Sequence, residues 1–296
     1  MPTYTSYDTV GAKESVADVI SNLSPSQTPF QSMIRDQKIK NRVHEWQEDS
    51  LAAVRDNAEV EGADATDATL TPTVMRQNNT QILQKTAKVS DTAEEIDNYG
   101  RDKEMAYQLR KVSKELKRDL ENTLVGTGQT FNLGSNTVAR RMAGVQALID
   151  PAGKIAATAS GTAALTEALH MQGNQRLYDN GSDASIFMVK PADAVRIAAF
   201  AAATGRSRDV GDGKKIVNVV NILETPFGTQ RVVMNRWLKA DNALLTDPDN
   251  WRRLVLRNWF RRTLAKTGDA TRVQIIGEFS LKHSNFLASV LLTNLA

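Results

Sequence analysis

The sequence predicts an α+β chain with a long projecting hairpin, and three observations carry that expectation. Two strand-like runs, 42–48 and 80–89, enclose a polar stretch with almost no large apolar residues. One long helix with a single narrow apolar stripe follows them. The second half then mixes helices and strands before the chain returns to strands at its end.

Bulk properties set the frame for these elements. A chain of 296 residues can form two modest domains or one large one. Its 41% hydrophobic content supports a packed core, and its 24% charged content is ordinary for a soluble protein. There is no cysteine, which removes disulfides, thiolate metal sites and a thiol nucleophile, and fits a reducing compartment. The net charge of +3 is too small to mark a specialised nucleic-acid binder. No basic region followed by an apolar run opens the sequence, so no signal peptide is expected. The longest apolar runs, 197–203 and 286–292, are too short to span a bilayer, so no membrane association is expected.

Residues 1–40 are expected to form an arm. The segment 8–20 has room for a short helix, and the prolines of Ser24-Pro25-Ser26-Gln27-Thr28-Pro29-Phe30 stop any long element after it. Residues 41–90 form the hairpin and its base. In 80–89, Leu83, Ala87 and Val89 share one face at period two. Between the strands Asp49, Asp56, Glu59, Glu61, Asp64 and Asp67 face a single basic residue, Arg55, before Arg76. Small residues around Gly62 cannot build a core, so a neighbour must order this loop or nothing does.

Thr92-Ala93-Glu94-Glu95 has the spacing of a capping box. After an interruption at Asn98-Tyr99-Gly100, the residues Met105, Leu109, Val112, Leu116, Leu120 and Leu124 recur at helical spacing. A helix over 101–125 would be roughly 37 Å long at about 1.5 Å per residue, with Gly126 at its end. One stripe in a charged background suits a helix lying across a sheet, and it spans too few heptads for a coiled coil. With the linker 126–137, this part covers 91–137.

The part 138–248 reads as helices over 162–177 and 191–203, with strands over 185–189, 215–223, 230–235 and 243–247 and a loop over 204–215. The last part, 249–296, reads as strands over 253–259, 272–279 and 286–292.

No catalytic signature survives comparison with a plainer explanation. Gly211-Asp212-Gly213-Lys214-Lys215 lacks phosphate-loop spacing and precedes a strand. His44, His170 and His283 are far apart and outside metal-ligand spacing. There is no G-x-S-x-G elbow, and the scattered carboxylates define no acid–base pair. Arg252, Arg253, Arg257, Arg261 and Arg262, interleaved with Trp251 and Trp259, suit inter-subunit or solvated positions better than nucleic-acid readout. No enzyme activity, cofactor or metal is expected.

The order of parts and a set of short motifs carry a resemblance. The motifs are Ser24-Pro25-Ser26-Gln27-Thr28-Pro29-Phe30, Trp46-Gln47-Glu48-Asp49, Glu61-Gly62, Asn79-Thr80-Gln81-Ile82-Leu83 and Ala106-Tyr107-Gln108-Leu109. Further along stand Glu115-Leu116-Lys117-Arg118-Asp119-Leu120-Glu121, Leu264-Ala265-Lys266-Thr267-Gly268-Asp269 and Gly277-Glu278-Phe279-Ser280-Leu281. Together they resemble the SU10-type major capsid proteins of tailed bacteriophages, which have the Hong Kong 97-like fold. The resemblance implies an N-arm, an E-loop hairpin, a P-domain with a spine helix, an α/β A-domain and returning P-domain strands. It implies hexamers and pentamers in an icosahedral shell around double-stranded DNA, in a virion assembled in the bacterial cytoplasm.

Portal and cement proteins are the implied partners, with non-specific contact to packaged DNA. The hairpin begins near Arg42, which leaves no room for a large N-terminal scaffolding domain, so a separate scaffold or the shell protein alone is expected to direct assembly. The expected inter-subunit contacts are Trp46, Arg55, Glu59 and Glu61, with Arg101, Lys103, Arg110 and Lys114 as the basic positions they or their neighbours meet. An encapsulin-type compartment shell, or an α/β enzyme with a site built from distant residues, are the alternatives. Some relatives join subunits through an isopeptide bond from an E-loop lysine. No lysine lies between Lys40 and Lys85, so particles boiled in SDS should release monomers, and a covalent ladder on the gel would refute this.

Overall fold

A computed structural model describes residues 27–65, 67–97, 103–159, 161–203 and 222–296. The helix expected over 8–20, Arg101, the loop over 204–215 and most of the strand over 215–223 lie outside the described residues.

The arm enters as a one-turn helix, α1 (Pro29–Met33), and a strand, β1 (Arg35–Lys38). The hairpin is β2 (Val43–Glu48) with β3 (Val74–Asn79), followed by β4 (Gln81–Ser90) and a short α2 (Asp91–Glu95). The long helix is α3 (Glu104–Glu121), continued by a π turn over Asn122–Gly126. Then come α4 (Val145–Leu148), β5 (Lys154–Ala156), α5 (Glu167–Asp179), β6 (Ile186–Val189) and α6 (Pro191–Ala203). The chain closes with β7 (Ile222–Thr225), β8 (Gly228–Met234), β9 (Ala243–Thr246), β10 (Trp251–Thr263), β11 (Ala270–His283) and β12 (Ser289–Thr293).

Two larger sheets and the two-stranded β2-β3 ribbon organise these strands. One has the order β1-β10-β11-β4, with β1 parallel to β10 and the other pairs antiparallel. The stripe of α3 covers one of its faces. Leu116, Leu120 and Leu124 are fully buried, whereas Met105, Leu109 and Val112 toward the helix start are half-buried. Lys85 on β4 reaches across to Asp119 at 2.7 Å and Glu115 at 3.4 Å, so the helix is tied to the strand by charge as well as packing. The other sheet has six strands, β5-β12-β9-β6-β8-β7. Every residue of β6 and β9 is buried, as expected for central strands covered on both faces.

Two expectations about strands are corrected. The strand that returns from the hairpin is β3, in register Val43↔Asn79 to Glu48↔Val74, while 80–89 pairs with β11 in the four-stranded sheet. Alternation in 80–89 reflects the cover of α3 over Leu83, Ala87 and Val89, and period two does not name the partner strand. The last strand also leaves the group assigned to 249–296. β12 inserts between β5 and β9, and four of its five residues are buried, an environment that an edge of the smaller sheet does not offer. Smaller shifts follow capping chemistry. The Ser90 hydroxyl, not that of Thr92, caps α2 by accepting from the Ala93 amide at 3.2 Å, and Thr166 starts α5 five residues later than its pattern suggested.

Two apolar clusters result. The first joins Phe30 of the arm, Leu120 and Leu124 of α3, Met142, Trp251 and Phe279. Phe30 meets Trp251 edge-on at 5.8 Å, so this described part of the arm belongs to the core. The second lies within the six-stranded sheet and its helices, around Phe187, Leu245, Val290 and Leu292. Glu121 links arm, helix and second sheet. Its carboxylate accepts from the Phe30 amide at 2.8 Å, the Gln31 amide at 3.0 Å and the Asn235 side chain at 2.7 Å. Burial pushes its carboxyl above the usual range despite these donors.

His283 closes the core near the end of β11, stacked on Trp251 at 4.0 Å and bonded to the Ser289 hydroxyl at 2.9 Å. Burial pushes its imidazole down from 6.5 to about 3. Below pH 6.5 the unfolded chain takes up a proton that the folded chain refuses. Stability therefore falls with pH by up to about 1.4 kcal/mol per pH unit until the folded imidazole protonates. His283→Phe keeps a ring on Trp251 and removes the titration. In urea unfolding, the stability advantage of the wild type over this variant should shrink as pH drops from about 7 to about 4; a constant gap would contradict the assignment.

Candidate assembly surface

The hairpin is the feature with no internal reason to exist, because its tip makes no core. Every described residue over 49–73 is exposed. The tip is less uniformly polar than its composition suggests: Leu51 is 99% exposed, Leu70 88% and Val60 80%. Its apex is a tight turn in which the Ala63 amide donates to the Val60 carbonyl at 3.0 Å, with Gly62 at φ +84°. A positive φ at that position favours glycine, which fixes where the loop reverses.

A two-stranded ribbon alone is marginally stable in water, so the base must hold it. Asn78, Asn79 and Thr80, where β3 passes to β4, are fully buried. Asn78 donates to the carbonyls of Leu281 at 2.7 Å and Ala143 at 3.2 Å and accepts from the Ala143 amide at 2.8 Å. The Thr80 hydroxyl donates to the Glu278 carboxylate at 2.7 Å, and the Ser280 hydroxyl donates to the Asn79 carbonyl at 2.7 Å. Glu278, 2% exposed, also pairs with Arg257 at 2.8 Å and with Arg140. Arg140 in turn donates to the Thr80 carbonyl at 3.0 Å. One buried carboxylate with two guanidinium groups thus joins the hairpin root to β10, to β11 and to the segment after α3.

On the other side of the root, Trp46 is covered by its own chain. Its indole donates to Glu48 at 3.2 Å, and Glu48 pairs with Arg76 at 3.1 Å. Arg76 lies over the Phe286 ring at 4.5 Å. These contacts make the root a rigid mount. Of the residues expected at an interface, Arg55, Glu59 and Glu61 lie on the exposed tip, and Arg55 bonds only locally, to Asn57 at 3.2 Å. Lys103, Arg110 and Lys114 are exposed along α3. No group of three or more His, Cys, Asp or Glu poised for a metal occurs among the described residues. Nor is any helix among them long and apolar enough to cross a membrane.

Comparison with known proteins decides what this mount serves. The SU10 major capsid protein family model matches residues 3–296. The chain belongs to that family. It is also 34% identical over 334 residues to the major capsid protein of Escherichia phage Phieco32, a match covering 97% of this chain and 95% of that one. Among solved structures, the capsid of a native GTA particle aligns with a TM-score of 0.66 at 13% identity, covering 98% of each chain. The SrpI encapsulin of Synechococcus elongatus PCC 7942 aligns with a TM-score of 0.63 at 12% identity, covering 97% of this chain and 92% of that one. These two share the fold, which is the Hong Kong 97-like capsid fold expected from the resemblance.

This major capsid protein is therefore a subunit of an oligomeric phage shell, found in the virion. Its E-loop is the hairpin 43–79, and α3 is its spine helix. Sequence reasoning missed the residues that mount the E-loop. Asn78, Arg140 and Glu278 are polar and distant in sequence, although Asn79-Thr80 and Gly277-Glu278 stood within the motifs that carried the resemblance.

Glu278→Ala would leave two cations without their buried partner. It should lower subunit stability by roughly 2–3 kcal/mol, below the range for fully buried pairs because Arg257 is half exposed. Urea unfolding of dissociated subunits measures it. Arg55 supplies a second readout, as the lone basic residue of the tip: trypsin should cut there in free subunits and not in assembled particles.

Proposed function

We propose that this major capsid protein builds an icosahedral shell of hexamers and pentamers around the double-stranded DNA of a tailed phage. Assembly takes place in the bacterial cytoplasm with portal and cement proteins as partners, directed by a separate scaffold or by the shell protein alone. The carrying observation is an acidic E-loop, exposed at every described residue of its tip and clamped at its root. Such an element gains its contacts only from another subunit. Its carboxylates, Glu59 and Glu61 among them, meet cations of a neighbouring copy, with Lys103, Arg110 and Lys114 on the spine helix and the adjacent Arg101 as the basic set. Trp46 serves from the root, holding the loop's exit direction, and Arg55 lies within the contact.

Size-exclusion chromatography with light scattering tests the shell directly. The purified protein should form megadalton particles, and a monomer at all salt concentrations would end the proposal. Electron microscopy of particles from infected cells should show tails and DNA. Cargo protein without DNA would favour the encapsulin reading, which the shared fold supports. Reversing Glu59 and Glu61 to lysine should abolish particles, and intact assembly would remove the role given to these carboxylates.

A further inference from the structure

The E-loop tip has a second property that the basic spine helix cannot match. At its apex Glu59 and Glu61 flank Val60, which is 80% exposed at the first position of the turn closed by Ala63. The apex is thus acid, aliphatic, acid. Its counterpart must offer an apolar seat between cations. Among the described residues, α3 carries no large hydrophobic side chain with comparable exposure, so its face supplies charge alone.

One surface of the same chain has both components. The loop 132–141 is closed at its neck by paired backbone bonds between Asn132 and Arg141, each at 3.0 Å. Inside it the Ser135 amide donates to the Val138 carbonyl at 2.9 Å, and the Val138 amide donates to the Ser135 hydroxyl at 3.1 Å. Gly134 sits at φ +68° with the Arg140 backbone 2.7 Å from where a Cβ would be, so only glycine fits this turn. A loop so restrained is preformed, yet it holds Leu133 and Val138 half exposed to water, beside Ile82 of β4 at 40%. These three line an open groove of about 350 Å³, together with Arg42 and Arg140.

Arg140 is committed to Glu278 and Thr80. Arg42, which lines the groove, and Arg141, which lines the adjoining hollow together with Val138, have no carboxylate within 4 Å among the described residues. Two cations with no described carboxylate partner, close to exposed aliphatic side chains, are the complement of two carboxylates around an exposed valine. We infer that the E-loop apex, Glu59-Val60-Glu61, seats in the groove of a second copy formed by Ile82, Leu133 and Val138, with Arg42 of the groove and Arg141 of the adjoining hollow as the cations its carboxylates meet. On this seat Glu59 and Glu61 meet Arg42 and Arg141 in place of the spine-helix cations, which are left to the other carboxylates of the tip. This rests on the proposed contact between the E-loop and a neighbouring subunit, and it specifies where the apex lands. The groove lies beside the receiving subunit's own E-loop root, so the seat is held by the same clamp that mounts the next loop.

The chain has no cysteine, so engineered disulfides report this contact cleanly. Val60→Cys and Val138→Cys are made as separate full-length chains, co-assembled, and oxidised mildly. Non-reducing gels should show a dimer from mixed particles and none from particles of either variant alone. Co-assembly of Val60→Cys with Lys114→Cys serves as the competing pair. Mixed particles that form normally but cross-link through Lys114→Cys and not through Val138→Cys would overturn the seat and leave the shell intact. Failure of the unmodified chain to form particles would instead overturn the shell reading. As a second measure, Arg42→Glu should reduce particle yield at least tenfold, and Glu59→Arg in the same chain should restore a substantial part of it. No loss with Arg42→Glu, or a loss that Glu59→Arg leaves unrepaired, would count against the pairing.

Discussion

The carboxylate of Glu278 is the constraint on which the functional architecture depends. It sits in the middle of β11, nearly without solvent, and is held by Thr80 from the hairpin, Arg140 from the segment after α3 and Arg257 from β10. An ionised carboxylate is costly to remove from water unless charges and donors replace its hydration. Here each replacement comes from a different stretch of chain, so satisfying one group fixes the mutual placement of four. The E-loop leaves the body at this point. Its direction in space is thereby a property of the core and not of the loop.

This division suits a shell subunit. An element that must meet a neighbour cannot bury its own apolar residues, or nothing would remain to bind with. Leu51, Val60 and Leu70 stay in water in the isolated chain, and the mount bears the cost of pointing them outward. The arm follows the opposite rule near its root. Phe30 enters the main core and its backbone amides bind Glu121, so residues 27–38 belong to the body from the start. Glu121 and Glu278 play parallel parts, each a buried acid whose partners come from separated segments, one seating the arm and the other the hairpin.

Much of the fold was legible in the sequence, and the parts that were not share a cause. The stripe from Met105 to Leu124 identified the long helix because helical periodicity is a local property that burial against one sheet imposes directly. The hairpin was recognisable from what its tip lacks. Its returning strand was misplaced, because 80–89 alternates for a different cover, the spine helix, and alternation is blind to pairing. β12 was assigned to the wrong sheet for the same reason: a short apolar run states that it is buried and says nothing about where. The site was legible in kind, as charge on an exposed loop and along a helix, while Asn78, Arg140 and Glu278 gave no local signal.

Sequence alone determined the local elements, the exposed acidic tip, the absence of thiol chemistry and, through the ordered motifs, the capsid family. Those follow from composition and from patterns a few residues long, where each residue type constrains its neighbours. Tertiary structure alone decided the strand partners, the mounting of the hairpin and the placing of an aliphatic groove beside Arg42. Each of these depends on residues dozens to hundreds of positions apart, such as Thr80 and Glu278, and single-chain periodicity carries no term that couples them. Closing those distances is what folding itself supplies.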